Sequence, residues 1–94
     1  MKKYEIMTII KAELAEKGAK DLSKKVQDQV ESLSGKISSA NFWGKRKLSY
    51  EIKREKEGFY DVINFELDPE GIQKLKSKLN LMDGLLRYLI TAQS

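Results

Sequence analysis

Residues 48–70 read LSYEIKREKEGFYDVINFELDPE, and the fold turns on them. Leu48, Tyr50 and Ile52 alternate with Ser49, Glu51 and Lys53, which is the period of a half-buried strand. Arg54-Glu55-Lys56-Glu57-Gly58 is charged and ends in Gly, so it reads as a turn of three to five residues between paired strands. The second strand runs from Phe59 to Leu67. Its Phe59, Ile63, Phe65 and Leu67 share a face that only Asp61 interrupts, while Tyr60, Val62, Asn64 and Glu66 share the other. Asp68-Pro69-Glu70 then starts a helix, with Asp as N-cap, Pro at the first helical position and an acid in the first turn. A hairpin feeding directly into a helix is the middle of an α+β domain.

Working outward from that hairpin, Ile72, Leu75 and Leu79 form the stripe of the helix, and Asn80 or Asp83-Gly84 closes it. Leu85 to Thr91 is a short last strand. Upstream, residues 3–10 are rich in β-branched and aromatic types, with Tyr4, Ile6, Thr8 and Ile10 on one face. Ala19, Leu22, Val26, Val30 and Leu33 place an amphipathic helix at about 16–34, and Gly35 sits where a helix end favours positive φ. The order βαββαβ predicts a ferredoxin-like split βαβ sandwich: a four-stranded antiparallel sheet, order 4-1-3-2, with two helices on one face. One domain spans residues 1–94. The face without helices is expected to expose Met7, Ile9, Val62 and Leu89 to a partner.

Composition removes several classes of function. The 94 residues contain no Cys and no His, so disulfides, thiolate or imidazole metal ligation and a His general base are all absent. No cofactor and no metal are expected. The six glycines are dispersed and form no phosphate-binding loop, and the carboxylates are scattered among lysines, so no acid pair stands out. An acylphosphatase-like activity would need an Arg after the first strand, where Lys11-Ala12-Glu13-Leu14 has none. Apolar runs are far shorter than the roughly 20 residues of a membrane span. A cytoplasmic, non-enzymatic domain is expected.

Eighteen Lys and Arg against 14 Asp and Glu give a net charge of +4, a mild bias towards anionic partners. The bias concentrates in residues 42–54, where Lys45, Arg46, Lys47, Lys53 and Arg54 are interleaved with Phe42, Trp43 and Tyr50. Cations neutralise phosphates and flat rings stack on unpaired bases, so this mixture suits RNA; an aggregation-resistant strand edge has the same composition. Lys2, Lys3 and Tyr4 form a smaller basic-aromatic cluster, and Arg87 stands alone in an apolar strand. The RNA-recognition module shares the element order, but its third-strand motif would put Asp61 and Asn64 where stacking rings are needed.

The chain resembles the family of the sixth protein of the bacterial small ribosomal subunit. The resemblance lies in Tyr4-Glu5, in Gly44-x-Arg46-x-Leu48-Ser49-Tyr50-x-Ile52-Lys53, in Gly58-Phe59-Tyr60, in Asp68-Pro69 and in Leu86-Arg87-Tyr88-Leu89, in order along essentially the whole sequence. Many members have Ala and Pro where this chain has Ser49 and Glu51. The resemblance implies a structural protein of the subunit platform. It would bind the central domain of small-subunit ribosomal RNA as a heterodimer with the eighteenth small-subunit protein. Lys3, Tyr4, Lys45, Arg46, Lys47 and Arg87 then become candidate RNA contacts. The competing expectation is a ferredoxin-like domain that homodimerises or senses a ligand and binds no RNA.

Overall fold

The computed structural model describes residues 1–93. Its elements are β1 (Lys2–Lys11), a single 3-10 turn, α1 (Ala15–Ser32), β2 (Lys36–Ile52), β3 (Glu55–Leu67), α2 (Pro69–Asn80) and β4 (Leu85–Gln93). The sheet order is β2-β3-β1-β4 with every neighbour antiparallel, the expected ferredoxin-like arrangement. Register places Tyr4 opposite Phe65 and Ile6 opposite Ile63, so the even positions of β1 and the odd positions of β3 face the helices. Val26 and Val30 of α1 and Leu75 and Leu79 of α2 close over them. A second apolar cluster joins Ile10 and Phe59 to Ala19 and Leu22 of α1.

Three expectations need correction. The hairpin turn is not Arg54–Gly58. It is Lys53-Arg54 alone, both at positive φ (50° and 68°), as a two-residue turn matched to the strand twist requires. Gly58 lies inside β3, opposite Lys11 and Arg46. Glu55-Lys56-Glu57 reads as a loop because its three side chains are charged and none is buried, so the apolar alternation that marks a strand is missing there.

Gly35 does not supply the left-handed residue after α1; Ser34 does, at φ 67°. Gly35 is needed for space instead. A Cβ there would lie 2.7 Å from Val30 Cγ1 and 2.8 Å from the Glu66 carbonyl oxygen. Its N–H donates to the Val30 carbonyl at 3.0 Å, which seats the chain against β3 as it leaves the helix.

The helix-free face is also less open than expected. Ile9 and Val62 are buried, and only Leu89 among the four apolar residues named for it is fully exposed. The cause is the far end of β2. Its pairing with β3 slips between Lys47 and Ile52, and Ile52 packs on Ile9 and Leu86, flanked by Leu48 and Tyr60. The hairpin thus covers part of its own sheet.

Candidate nucleic-acid interface

The basic-aromatic segment forms the middle and far end of β2, an edge strand, so its side chains alternate between the two sides of the sheet. Lys45 and Lys47 register with Phe59 and Glu57 and so fall on the helix side, where the Lys45 ammonium lies 3.7 Å from Glu57. Arg46 registers with Gly58 and falls on the helix-free side, exposed. The three cations are neighbours in sequence but not on one surface.

The adjacent aromatics Phe42 and Trp43 point to opposite faces, beside a slip in the ladder between Phe42 and Gly44 where Gly44 takes φ 92°. Phe42 stacks on Phe59 beneath α1, whose Lys20 ammonium sits 5.5 Å from the Phe42 ring. Trp43 lies parallel to Tyr60 on the helix-free face, with centroids 6.4 Å apart and planes 8° from each other. Trp43 remains 45% exposed, so one indole face is available to a planar partner.

Arg87 projects from β4 onto the same face. Its guanidinium donates a 2.5 Å hydrogen bond to the Tyr50 hydroxyl and lies 5.6 Å from the Tyr50 ring centroid. That contact ties the curled end of β2 to β4. Beside it, a cleft of about 440 Å³ between the end of α2 and the hairpin tip brings Lys11 and Lys53 close to Arg87. Lys53 belongs to the basic segment 42–54, whereas nothing in the sequence around Lys11 marks it as a contact.

Lys3 and Tyr4 separate. Lys3 is exposed at the opposite end of the helix-free face, paired with Glu66. Glu66 and Gly58 are eight residues apart on β3, so Lys3 and Arg46 stand about 27 Å apart. Tyr4 is 7% exposed and stacked on Phe65 in the core, with centroids 5.6 Å apart. Its ring has no face free for a base, and Tyr4 leaves the set of stacking candidates. The alternation that makes residues 3–10 a strand also turns Tyr4 towards the helices.

Among the described residues, no group of three or more acidic, His or Cys side chains gathers to hold a metal ion, and no helix is long and apolar enough to cross a membrane. The helix-free face offers separated cations and one exposed indole, and the cleft at its edge adds Lys11 and Lys53 beside Arg87 and Asp83, a geometry suited to an extended anionic partner.

The family model described as "Ribosomal protein S6" matches residues 3–92. This chain belongs to the ribosomal protein S6 family. The small ribosomal subunit protein bS6 of Dictyoglomus turgidum is 40% identical over 91 residues, covering 97% of this chain and 94% of that protein. The bS6 protein of Fusobacterium nucleatum is 39% identical over 93 residues and 99% of each chain. The crystal structure of 30S ribosomal protein S6 from Thermotoga maritima superposes with a TM-score of 0.92 at 31% identity, covering 98% of this chain and 87% of that one. The C-terminal domain of MgtC from Mycobacterium tuberculosis, at 10% identity and a TM-score of 0.63, shares the fold alone. The S6 relatives are named as proteins of the small ribosomal subunit, not as enzymes.

Proposed function

We propose that this small-subunit ribosomal protein binds the central domain of small-subunit ribosomal RNA as a heterodimer with the eighteenth small-subunit protein, on cytoplasmic ribosomes. The observation that carries the reading is the family match across residues 3–92. Arg46, Arg87 and Lys3 on the helix-free face, with Lys45 and Lys47 along the β2 edge, are the RNA contacts in this reading; the exposed face of Trp43 adds a stacking surface. A net charge of +4 spread over both sides of the sheet neutralises few phosphates, and each phosphate contact adds to affinity through counterion release. A basic partner protein enlarges the cationic surface, so binding depends on it.

Titrating the folded chain against central-domain RNA, with and without the eighteenth protein, tests this. Salt-sensitive binding that is strong only with the partner supports the proposal. A stable homodimer by light scattering, with no RNA binding in either condition, supports the ligand-sensing or homodimerising alternative instead.

A further inference from the structure

The two apolar clusters under the helices are separated by a polar layer with one residue from each element that meets there. Along β1, Thr8 stands between Ile6 of one cluster and Ile10 of the other. Along β3, Asp61 stands between Ile63 and Phe59, and along α1, Ser23 follows Leu22 and precedes Val26. Thr8 and Asp61 are directly opposite in the β1–β3 ladder, which puts their Cβ atoms about 5 Å apart. Thr8 is 0% and Asp61 1% exposed, and Ser23 is buried with them. The Thr8 hydroxyl and both Asp61 carboxyl oxygens are buried with no hydrogen bond of good geometry, although the Ser23 hydroxyl is near enough to act on the carboxyl.

Among the described residues, no cation pairs with the carboxyl. On the neighbouring strand β2, Phe42 is opposite Asp61, and Lys20 of α1 lies over that ring at 5.5 Å while pairing with Glu16 at 3.5 Å. Lys45 of β2 and Glu57 of β3, further along the same side, pair with each other. On β4, Tyr88 is opposite Thr8, and its hydroxyl is bonded to Asn80 at 2.8 Å. Ser23 is engaged by the Gln27 amide at 3.4 Å.

An ionised carboxylate in such a site loses its water and can gain in exchange the hydroxyl donors of Thr8 and Ser23 but no cation, whereas a neutral acid buries no charge and can also donate its own proton to a hydroxyl oxygen. We infer that within the Thr8–Asp61–Ser23 layer the folded protein holds Asp61 as a neutral carboxylic acid to higher pH than the unfolded chain does, so that between the two titrations folding takes up a proton at this site. Burial pushes the Asp61 carboxyl above its ordinary value of 3.8, and the Ser23 hydroxyl opposes the shift without reversing it. The sign follows from the raised value: Asp61 imposes no penalty below the unfolded-state value. As pH rises from there to the folded-state value, the folding equilibrium constant falls by up to about tenfold per unit of pH. Above the folded-state value the penalty is constant. The layer makes the attachment of α1 to the sheet sensitive to proton concentration.

The direct test follows the Asp61 side-chain carboxyl carbon by NMR in the full-length chain as pH rises from 4, together with thermal unfolding of wild type and Asp61→Asn. The expected result is a carboxyl carbon that reports the neutral acid well above pH 4, with ionisation displaced upward. Asp61→Asn, a neutral side chain of the same shape, should unfold at a temperature less dependent on pH and higher than wild type on the alkaline side. A carbon already reporting carboxylate at pH 5 overturns the inference. So does an Asp61→Asn variant whose pH profile runs parallel to that of wild type. If the variant does not fold, the wild-type titration still decides.

Discussion

Arg46 and Tyr4 show how one strand period sorts candidate residues. Arg46 points to the helix-free face, exposed, whereas Tyr4 is stacked on Phe65 under the helices. Their substitutions should separate binding from stability. Arg46→Ala should weaken RNA binding by the heterodimer by about 1–3 kcal/mol and leave the unfolding midpoint within about 0.5 kcal/mol of wild type. An unchanged dissociation constant would make Arg46 a solvated edge charge. Tyr4→Ala should cost about 3–5 kcal/mol of stability in urea denaturation, the range for removing a buried aromatic. A stable Tyr4→Ala chain with weakened RNA binding would return Tyr4 to the interface. Tyr4's burial was legible in the alternation Tyr4, Ile6, Thr8, Ile10, which assigns it to the core set. Its neighbours Lys2 and Lys3 suggested otherwise because they share its sequence position but not its face.

At the scale of elements, the β2–β3 hairpin holds most of the structural surprise. A turn built from Lys53 and Arg54 places two side chains in a backbone region that costs non-glycine residues about 1–2 kcal/mol each. Replacing the pair with Asn-Gly should stabilise the chain by about 1 kcal/mol, measured as a shift in urea midpoint at constant slope. A loss of stability would mean that the two cations make contacts that outweigh the strain. Gly35→Ala should act in the other direction, by about 1–3 kcal/mol, because the new methyl group meets Val30 and the Glu66 carbonyl. Both helices and the strand order were legible because β1, α1, β3 and α2 each bury a periodic apolar stripe. The hairpin tip was not, since Lys53 to Glu57 is an unbroken run of charges with no apolar period, and such a run imitates a loop. Nor was the slip between Lys47 and Ile52, through which β2 curls over Ile9 and Leu86. That packing depends on strand twist and on a contact between residues more than forty positions apart.

For the molecule as a whole, cations are dispersed over both sides and both ends of the sheet, and the helix-free face is partly closed by the chain itself. Sequence carried the topology and the family, both of which depend on patterns that run the length of the chain. It did not separate the three cations at 45–47, or bring Lys11 and Lys53 to the cleft beside Arg87. Those relations arise only once register and curl are set. The most direct measurement is reconstitution of small subunits from which the native S6 protein has been omitted, using this chain in its place and counting copies per particle. A small-subunit constituent that docks with the eighteenth protein should enter at one copy per particle, and only when that partner is present. A folded chain that stays in the supernatant, or enters equally well without the partner, would contradict the proposed role.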